Sequence, residues 1–197
     1  GRLVVNDNAL EGYYQQHGRD WERHAMIKAR ALTGSAENQK PLEELKRAFV
    51  YRRYTDYGAL QALREMRAMI AAETLRSNLQ SNIKRGYGGI REIEFIVQCK
   101  QLIHGGRHPE LQVRPLEAAY QRLEELAFIS AEDRQGLIDA YYFLRRLENI
   151  LQGLGDAQTQ ELPADPLTQA QVALLMGHPD WFALTESCEG VRNRVSE

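Results

Sequence analysis

Ile90-Arg91-Glu92-Ile93-Glu94-Phe95-Ile96-Val97-Gln98-Cys99-Lys100-Gln101-Leu102-Ile103-His104 decides the fold class of this chain. At about 100° per residue, Phe95, Ile96, Cys99 and Ile103 cover one wide helical arc, and Ile90, Ile93 and Val97 lie toward the opposite side. A helix apolar on two sides sits centrally in a helical bundle. Glu92 falls inside the first arc, where a carboxylate is costly unless it is paired. It therefore reads either as half of a buried ion pair or as a functional acid. Glu94 points roughly 200° away from it, so the two carboxylates cannot share one metal ion.

Outward from this helix, nearly every segment has helical spacing. Toward the N-terminus, helices are expected over Ala9–Gln16, Asp20–Leu32, a stretch from Pro41 to about Tyr54, and Ala59 to about Asn78, where Leu60, Leu63, Met66 and Ile70 recur. Asp20 is a candidate N-cap and Pro41 suits a first helical turn. The polar stretch Thr33–Gln39 reads as a linker. Toward the C-terminus, Arg114–Phe128 and Ala131–Leu154 form a helical hairpin in which Ser130 caps the second arm, followed by a loop with Pro163 and Pro166 and then shorter helices. Gly1–Val5 alone reads as a strand, ending in the turn Asn6-Asp7-Asn8. Because a single strand is unstable by itself, its sheet partners are expected outside this chain. The fold class is mainly α: a helical bundle after a remnant strand.

The 197 residues suffice for one real core. A formal net charge of −2 provides no broad basic field, which disfavours generic nucleic-acid binding. No apolar run reaches the length of about 20 residues that a membrane helix needs, and no signal peptide is present. Cys99 and Cys188 are read as reduced cysteines of a cytoplasmic protein.

Three segments carry chemistry. The loop Lys84-Arg85-Gly86-Tyr87-Gly88-Gly89 runs into the Ile90 helix and resembles an anion site. Glycines let backbone N–H groups approach a ligand, the helix N-terminus adds partial positive charge, and Lys84 and Arg85 add full charges. The same glycines also suit a tight turn with solvated cations. Gly18-Arg19-Asp20-Trp21-Glu22-Arg23, continuing to Lys28 and Arg30, places Arg23 and Arg30 on one helical face, either to meet phosphate or to make ordinary surface pairs. Arg145-Arg146-Leu147-Glu148 with Gln158-Thr159-Gln160 reads as a buried helix carrying a satisfied polar knot. The five histidines lack ligand spacing, and no nucleophile triad is evident.

Taken together these segments resemble a known family. Tyr13-Tyr14-Gln15-Gln16-His17-Gly18-Arg19-Asp20-Trp21-Glu22-Arg23 with Ala25–Arg30, then Gly88-Gly89-Ile90-Arg91-Glu92-Ile93-Glu94-Phe95-Ile96-Val97-Gln98, then Arg146-Leu147-Glu148 with Gln158-Thr159 and Leu162-Pro163, are similar to bifunctional glutamine synthetase adenylyltransferase/adenylyl-removing enzymes. The wording around Gly18–Arg23 and at Arg91-Glu92 looks like the N-terminal, adenylyl-removing half. Tyr87 departs from the proline usual in that loop. The related PII uridylyltransferases share a Gly-Gly-x-Arg-Asp-like signature, but Trp21 and Gln158-Thr159 argue against them.

The resemblance implies an enzyme that adjusts glutamine synthetase to nitrogen status. One half attaches AMP from ATP to a glutamine synthetase tyrosine; the other removes it by phosphate attack, releasing ADP, under control of the PII protein and glutamine. Mg²⁺ would be held by carboxylates of a nucleotidyltransferase sheet expected upstream of Gly1, since no Asp-x-Asp occurs here. Residues 1–36 would then be the last strand and helices of the nucleotidyltransferase domain and 37–197 a helical domain, the chain alone being inactive and binding no cofactor. The helical domain would form a cleft wall, with Glu92 and Arg91 as catalytic candidates. Lys84, Arg85, Gly88, Gly89, Arg19, Lys28 and Arg30 are candidates for phosphate or nucleotide, and Glu94 is a possible metal ligand. A non-catalytic module docking glutamine synthetase or PII is the alternative.

Overall fold

Residues 4–52, 57–76 and 79–196 are described by a computed structural model. Among them are nine helices: α1 (Asp7–Gln16), α2 (Asp20–Met26), α3 (Ala36–Val50), α4 (Tyr57–Arg76), α5 (Ile90–His104), α6 (Leu116–Glu125), α7 (Ala131–Gly155), α8 (Pro166–Met176) and α9 (Trp181–Ser196). The mainly α class is therefore correct. The ends are set by local chemistry. Asn6, Ser35, Ser130 and Asp165 each accept a backbone N–H of the first turn with a side-chain oxygen. Asp156 (φ 44°) and Gly177 (φ 82°) close α7 and α8 in the left-handed region.

Several sequence expectations need correction. Residues 1–3 of the expected strand lie outside the described residues, while Val4 and Val5 are exposed and in no strand, because no described segment offers them a ladder. The second helix stops at Met26 rather than Leu32. Beyond it α3 side chains take the backbone groups: Lys46 Nζ donates to the Ala29 carbonyl (2.8 Å) and the Glu43 carboxylate accepts from the Ala31 N–H (3.2 Å). Arg30 is therefore off the helix, and its heptad relation to Arg23 does not exist. The expected linker is half helical, since Ser35 starts α3 six residues before Pro41. Pro41 then sits in the second turn, where it forfeits one helical hydrogen bond.

Two compact units contain these elements, one of residues 1–67 with 97–123 and one of residues 68–96 with 124–197. In the first, Ile27, Phe49, Val50, Leu63 and Leu102 form the core. Tyr14 stacks on Phe49 with ring centroids 3.9 Å apart. Burying each such side chain contributes roughly 1.5–3 kcal/mol. In the second, α7, α8 and α9 pack on one another through Leu144, Leu147, Val172, Ala173 and Leu184, all essentially inaccessible. Along α5 the completely buried stripe is Ile90, Ile93, Val97 and Gln101. The opposite arc, which contains Glu92, is only partly covered, so Glu92 is half-buried rather than desolvated.

Candidate functional site

The glycine loop before α5 is a closed turn. Asn82 Oδ1 accepts the N–H groups of Lys84 (3.1 Å) and Arg85 (2.7 Å). Gly86 donates to Asn82 O, Gly89 to Gly86 O, Ile90 to Ile83 O and Arg91 to Lys84 O. The Gly88 N–H donates to the Glu92 carboxylate at 2.9 Å, one turn into the helix. These N–H groups are already used, so an anion at this loop would be held by side chains and not by a backbone cradle.

Glycine is required here by close approach. Gly88 has φ +63°, and a Cβ on it would lie 2.0 Å from the Arg192 carbonyl oxygen. A Cβ on Gly86 would come within 2.3 Å of Asn82 O, and one on Gly89 within 2.8 Å of three carbonyl oxygens. Arg192 of α9 also donates through Nε to Tyr87 O (2.6 Å) and through a terminal nitrogen to Gln80 O (2.8 Å). On the other flank, Glu161 accepts from Ser81 Oγ and Asn82 Nδ2, both at 2.6 Å, while Ile83 N–H donates to Gln160 O. Gln160 and Glu161 thus hold the loop in place.

Behind the loop an ion-pair chain links the loop itself to two helices, α5 and α7. Glu148, 4% exposed, is 2.6 Å from an Arg145 nitrogen and 3.5 Å from Lys84 Nζ. Arg145 also reaches Glu94 at 2.8 Å and lies over the Tyr141 ring. Burial pulls the Arg145 guanidinium down, but hydrogen bonds to Glu148 and Tyr141 outweigh it and hold the group above the ordinary arginine value. Glu94 is accordingly a structural counter-ion. Among the described residues no group of three or more His, Cys, Asp or Glu could hold a metal ion. Arg85 and Arg91 remain exposed beside the loop, without an ion-pair partner among the described residues.

In the other unit the Tyr13–Arg23 segment is explained by packing. Tyr13 donates to Glu22 at 2.6 Å, and Glu22 also accepts the Arg19 N–H at 2.8 Å, closing the start of α2. Those two hydrogen bonds hold the Glu22 carboxyl below its ordinary value. Gly18 leaves no space for a Cβ, which would meet Phe49 at 2.5 Å. Arg23 is 3% exposed, bonded to Asp20 and to the Val50 carbonyl. Arg19 and Arg30 project outward, while Lys28 donates to the Arg114 carbonyl.

Sequence reasoning placed the loop and the polar knot but missed Arg192 and Glu161 as loop partners. Both lie 79 to 112 positions from what they hold, a separation that leaves no local pattern. Cys99 and Cys188 are free thiols. No helix among the described residues is long and apolar enough to cross a membrane.

Comparison with known proteins places the chain in a family. Residues 64–197 match the family model described as GlnD PII-uridylyltransferase, and residues 1–45 match the one described as Glutamate-ammonia ligase adenylyltransferase. A bifunctional glutamine synthetase adenylyltransferase/adenylyl-removing enzyme of Psychromonas ingrahamii (strain DSM 17664 / CCUG 51855 / 37) is 49% identical over 92% of this chain and 19% of its own length. A like-named enzyme of Stenotrophomonas maltophilia (strain R551-3) is 49% identical over 100% of this chain and 21% of its own length. The chain thus spans about a fifth of the curated relatives it matches.

Proposed function

The chain belongs to the family of bifunctional glutamine synthetase adenylyltransferase/adenylyl-removing enzymes, and from that membership we propose that it is part of the half that removes AMP from adenylylated glutamine synthetase. The parent protein would also adenylylate glutamine synthetase with ATP, in the cytoplasm and under the control of PII. The observation that carries the reading is the glycine loop, clamped from both flanks, which fixes the start of α5 and leaves Arg85 and Arg91 outermost. Side chains so placed can meet the phosphoryl centre without reorganising, which is how positively charged clamps lower such barriers.

On this reading Glu92 and Arg91 act at the reacting centre. Arg85 contacts phosphate, Lys84 contributes from its place on Glu148, and Gly88 and Gly89 shape the loop. Arg19, Lys28 and Arg30 are phosphate contacts in their own unit. Residues 1–36 would complete a nucleotidyltransferase domain and 37–197 a helical domain. Mg²⁺ would be held by carboxylates elsewhere in the parent protein, and the chain alone would be inactive.

The test compares this chain with a version extended upstream through a nucleotidyltransferase sheet, following ADP release from adenylylated glutamine synthetase, phosphate and Mg²⁺. Glu92→Gln is informative because an amide oxygen still accepts the Gly88 N–H while the charge is lost. Activity only in the longer protein, reduced at least tenfold by Glu92→Gln with unchanged stability, is the expected result. Full activity in Glu92→Gln makes that carboxylate a loop cap and nothing more. A docking role is the second reading, favoured by exposed Leu174 (76%) and Phe182 (75%) on α8 and α9. Tight glutamine synthetase binding by this chain without nucleotide would support it.

A further inference from the structure

Asn82, 3% exposed, stands at the root of the glycine loop, and both ends of its side-chain amide are used. Its Oδ1 accepts the N–H groups of Lys84 and Arg85, at 3.1 and 2.7 Å. Its Nδ2 donates to one oxygen of the Glu161 carboxylate at 2.6 Å, and the other oxygen accepts from Ser81 Oγ at 2.6 Å. This arrangement permits one orientation of the amide. An ionised carboxylate only accepts, so the NH₂ end must face Glu161; backbone N–H groups only donate, so the oxygen must face the loop. Turned over, the amide would set oxygen against carboxylate and NH₂ against two N–H groups, leaving buried polar groups unpaired. Glu161 is itself anchored, because Ile83 N–H donates to Gln160 O and Leu162 N–H to Ser81 O on either side of it.

The consequence falls on Arg85. Asn82 holds its N–H, and its carbonyl accepts from Thr74 Oγ1 of α4 at 2.9 Å. Both backbone groups of this residue are fixed while its side chain is exposed. The neighbouring Lys84 is different, since its ammonium lies 3.5 Å from Glu148. A guanidinium carried on a pinned backbone samples fewer directions, which lowers the ordering cost of meeting an anion.

We propose that Asn82 and Glu161 are positioning residues for the adenylyl-removing reaction. Glu161 sets the direction of the Asn82 amide, and the amide sets the backbone from which Arg85 reaches phosphate. This rests on the reading in which Arg85 contacts phosphate; Asn82 and Glu161 act through Arg85.

The experiment uses the full-length enzyme that contains this chain, following ADP release at varied phosphate and at varied adenylylated glutamine synthetase. Asn82→Asp keeps an acceptor for the loop but sets a second carboxylate against Glu161. Adding Glu161→Gln reverses the pair: the introduced amide donates to the introduced carboxylate and still accepts from Ser81 Oγ. Asn82→Asp is expected to lower kcat/KM for phosphate at least about tenfold while KM for adenylylated glutamine synthetase stays unchanged, and the added Glu161→Gln to recover most of the loss. In an Arg85→Gln background, Asn82→Asp should cost less than about twofold more, because the group it positions is gone. Full activity in Asn82→Asp beside an impaired Arg85→Gln overturns the positioning role alone. So does a loss that Glu161→Gln does not relieve, or one undiminished in the Arg85→Gln background. Full activity in Arg85→Gln overturns the proposal together with the reading it rests on. Urea unfolding of each variant separates lost positioning from lost folding. Should Asn82→Asp not fold, Glu161→Leu leaves Asn82 in place with its amide free to turn; it should show the same phosphate-selective loss, and full activity there overturns the proposal.

Discussion

A Cβ on Gly88 would stand 2.0 Å from the carbonyl oxygen of Arg192, 104 positions later in the chain. The glycine lets α9 lie directly on the loop, and the guanidinium of the same Arg192 then grips Tyr87 O and Gln80 O. One residue of α9 thereby excludes a side chain with its backbone and fixes the turn with its own side chain.

Gly88→Ala should destabilise the chain by more than about 3 kcal/mol, because a left-handed φ and a backbone clash add. Gly153→Ala is the control: it lies within α7 with nothing within 4 Å of a new Cβ, and should stabilise by up to about 1 kcal/mol. Urea unfolding of the pair decides it; equal midpoints would contradict the packing described.

Removing Glu148 should be costlier than removing Lys84. Glu148→Leu removes the buried partner of both cations while leaving Arg145 on Glu94, and is expected to cost about 1–3 kcal/mol. Lys84 is more than a third exposed, so Lys84→Met should cost under about 1 kcal/mol. Chemical denaturation of both variants checks the order.

Tyr13→Phe should raise the Glu22 titration midpoint toward that of an ordinary carboxylate, since the lost hydrogen bond is the largest cause of its depression. The sign follows: a depressed carboxyl contributes stability above its unfolded pKa and loses it as pH falls through the folded value. Side-chain carboxyl NMR across the acidic range reads the shift directly, and an unmoved midpoint would refute it.

Alkaline pH should destabilise the unit that contains Cys99. Burial raises that thiol from 9.0 to about 12, so above pH 9 the unfolded chain releases a proton that the folded chain keeps. Stability is complete below pH 9 and declines toward pH 12; Cys99→Ala should flatten that slope. At pH 8 an alkylating reagent should modify Cys99 slowly in the folded chain and quickly in urea, as followed by mass spectrometry.

The sequence alone determined the elements and the family. Periodicity and caps such as Ser130 are local, depending on contacts within about four residues, and they placed most helices to within a few positions, although α2 is capped at Arg19 and not at the expected Asp20. The polar knot at Arg145–Glu148 was legible because a charged residue on the buried face of a helix must be paired. Where helical spacing failed, distant side chains had intervened, as Lys46 and Glu43 do in ending α2. The tertiary structure alone decided which partner each signature carboxylate meets. Helical spacing separated Glu92 from Glu94 but named no partner for either: Glu92 accepts the Gly88 N–H and Glu94 pairs with Arg145. Local pattern can say that a buried charge needs a partner. Only the packing of α7 and α9 around the loop supplies one, because those partners are brought together across 50 to 105 positions of chain.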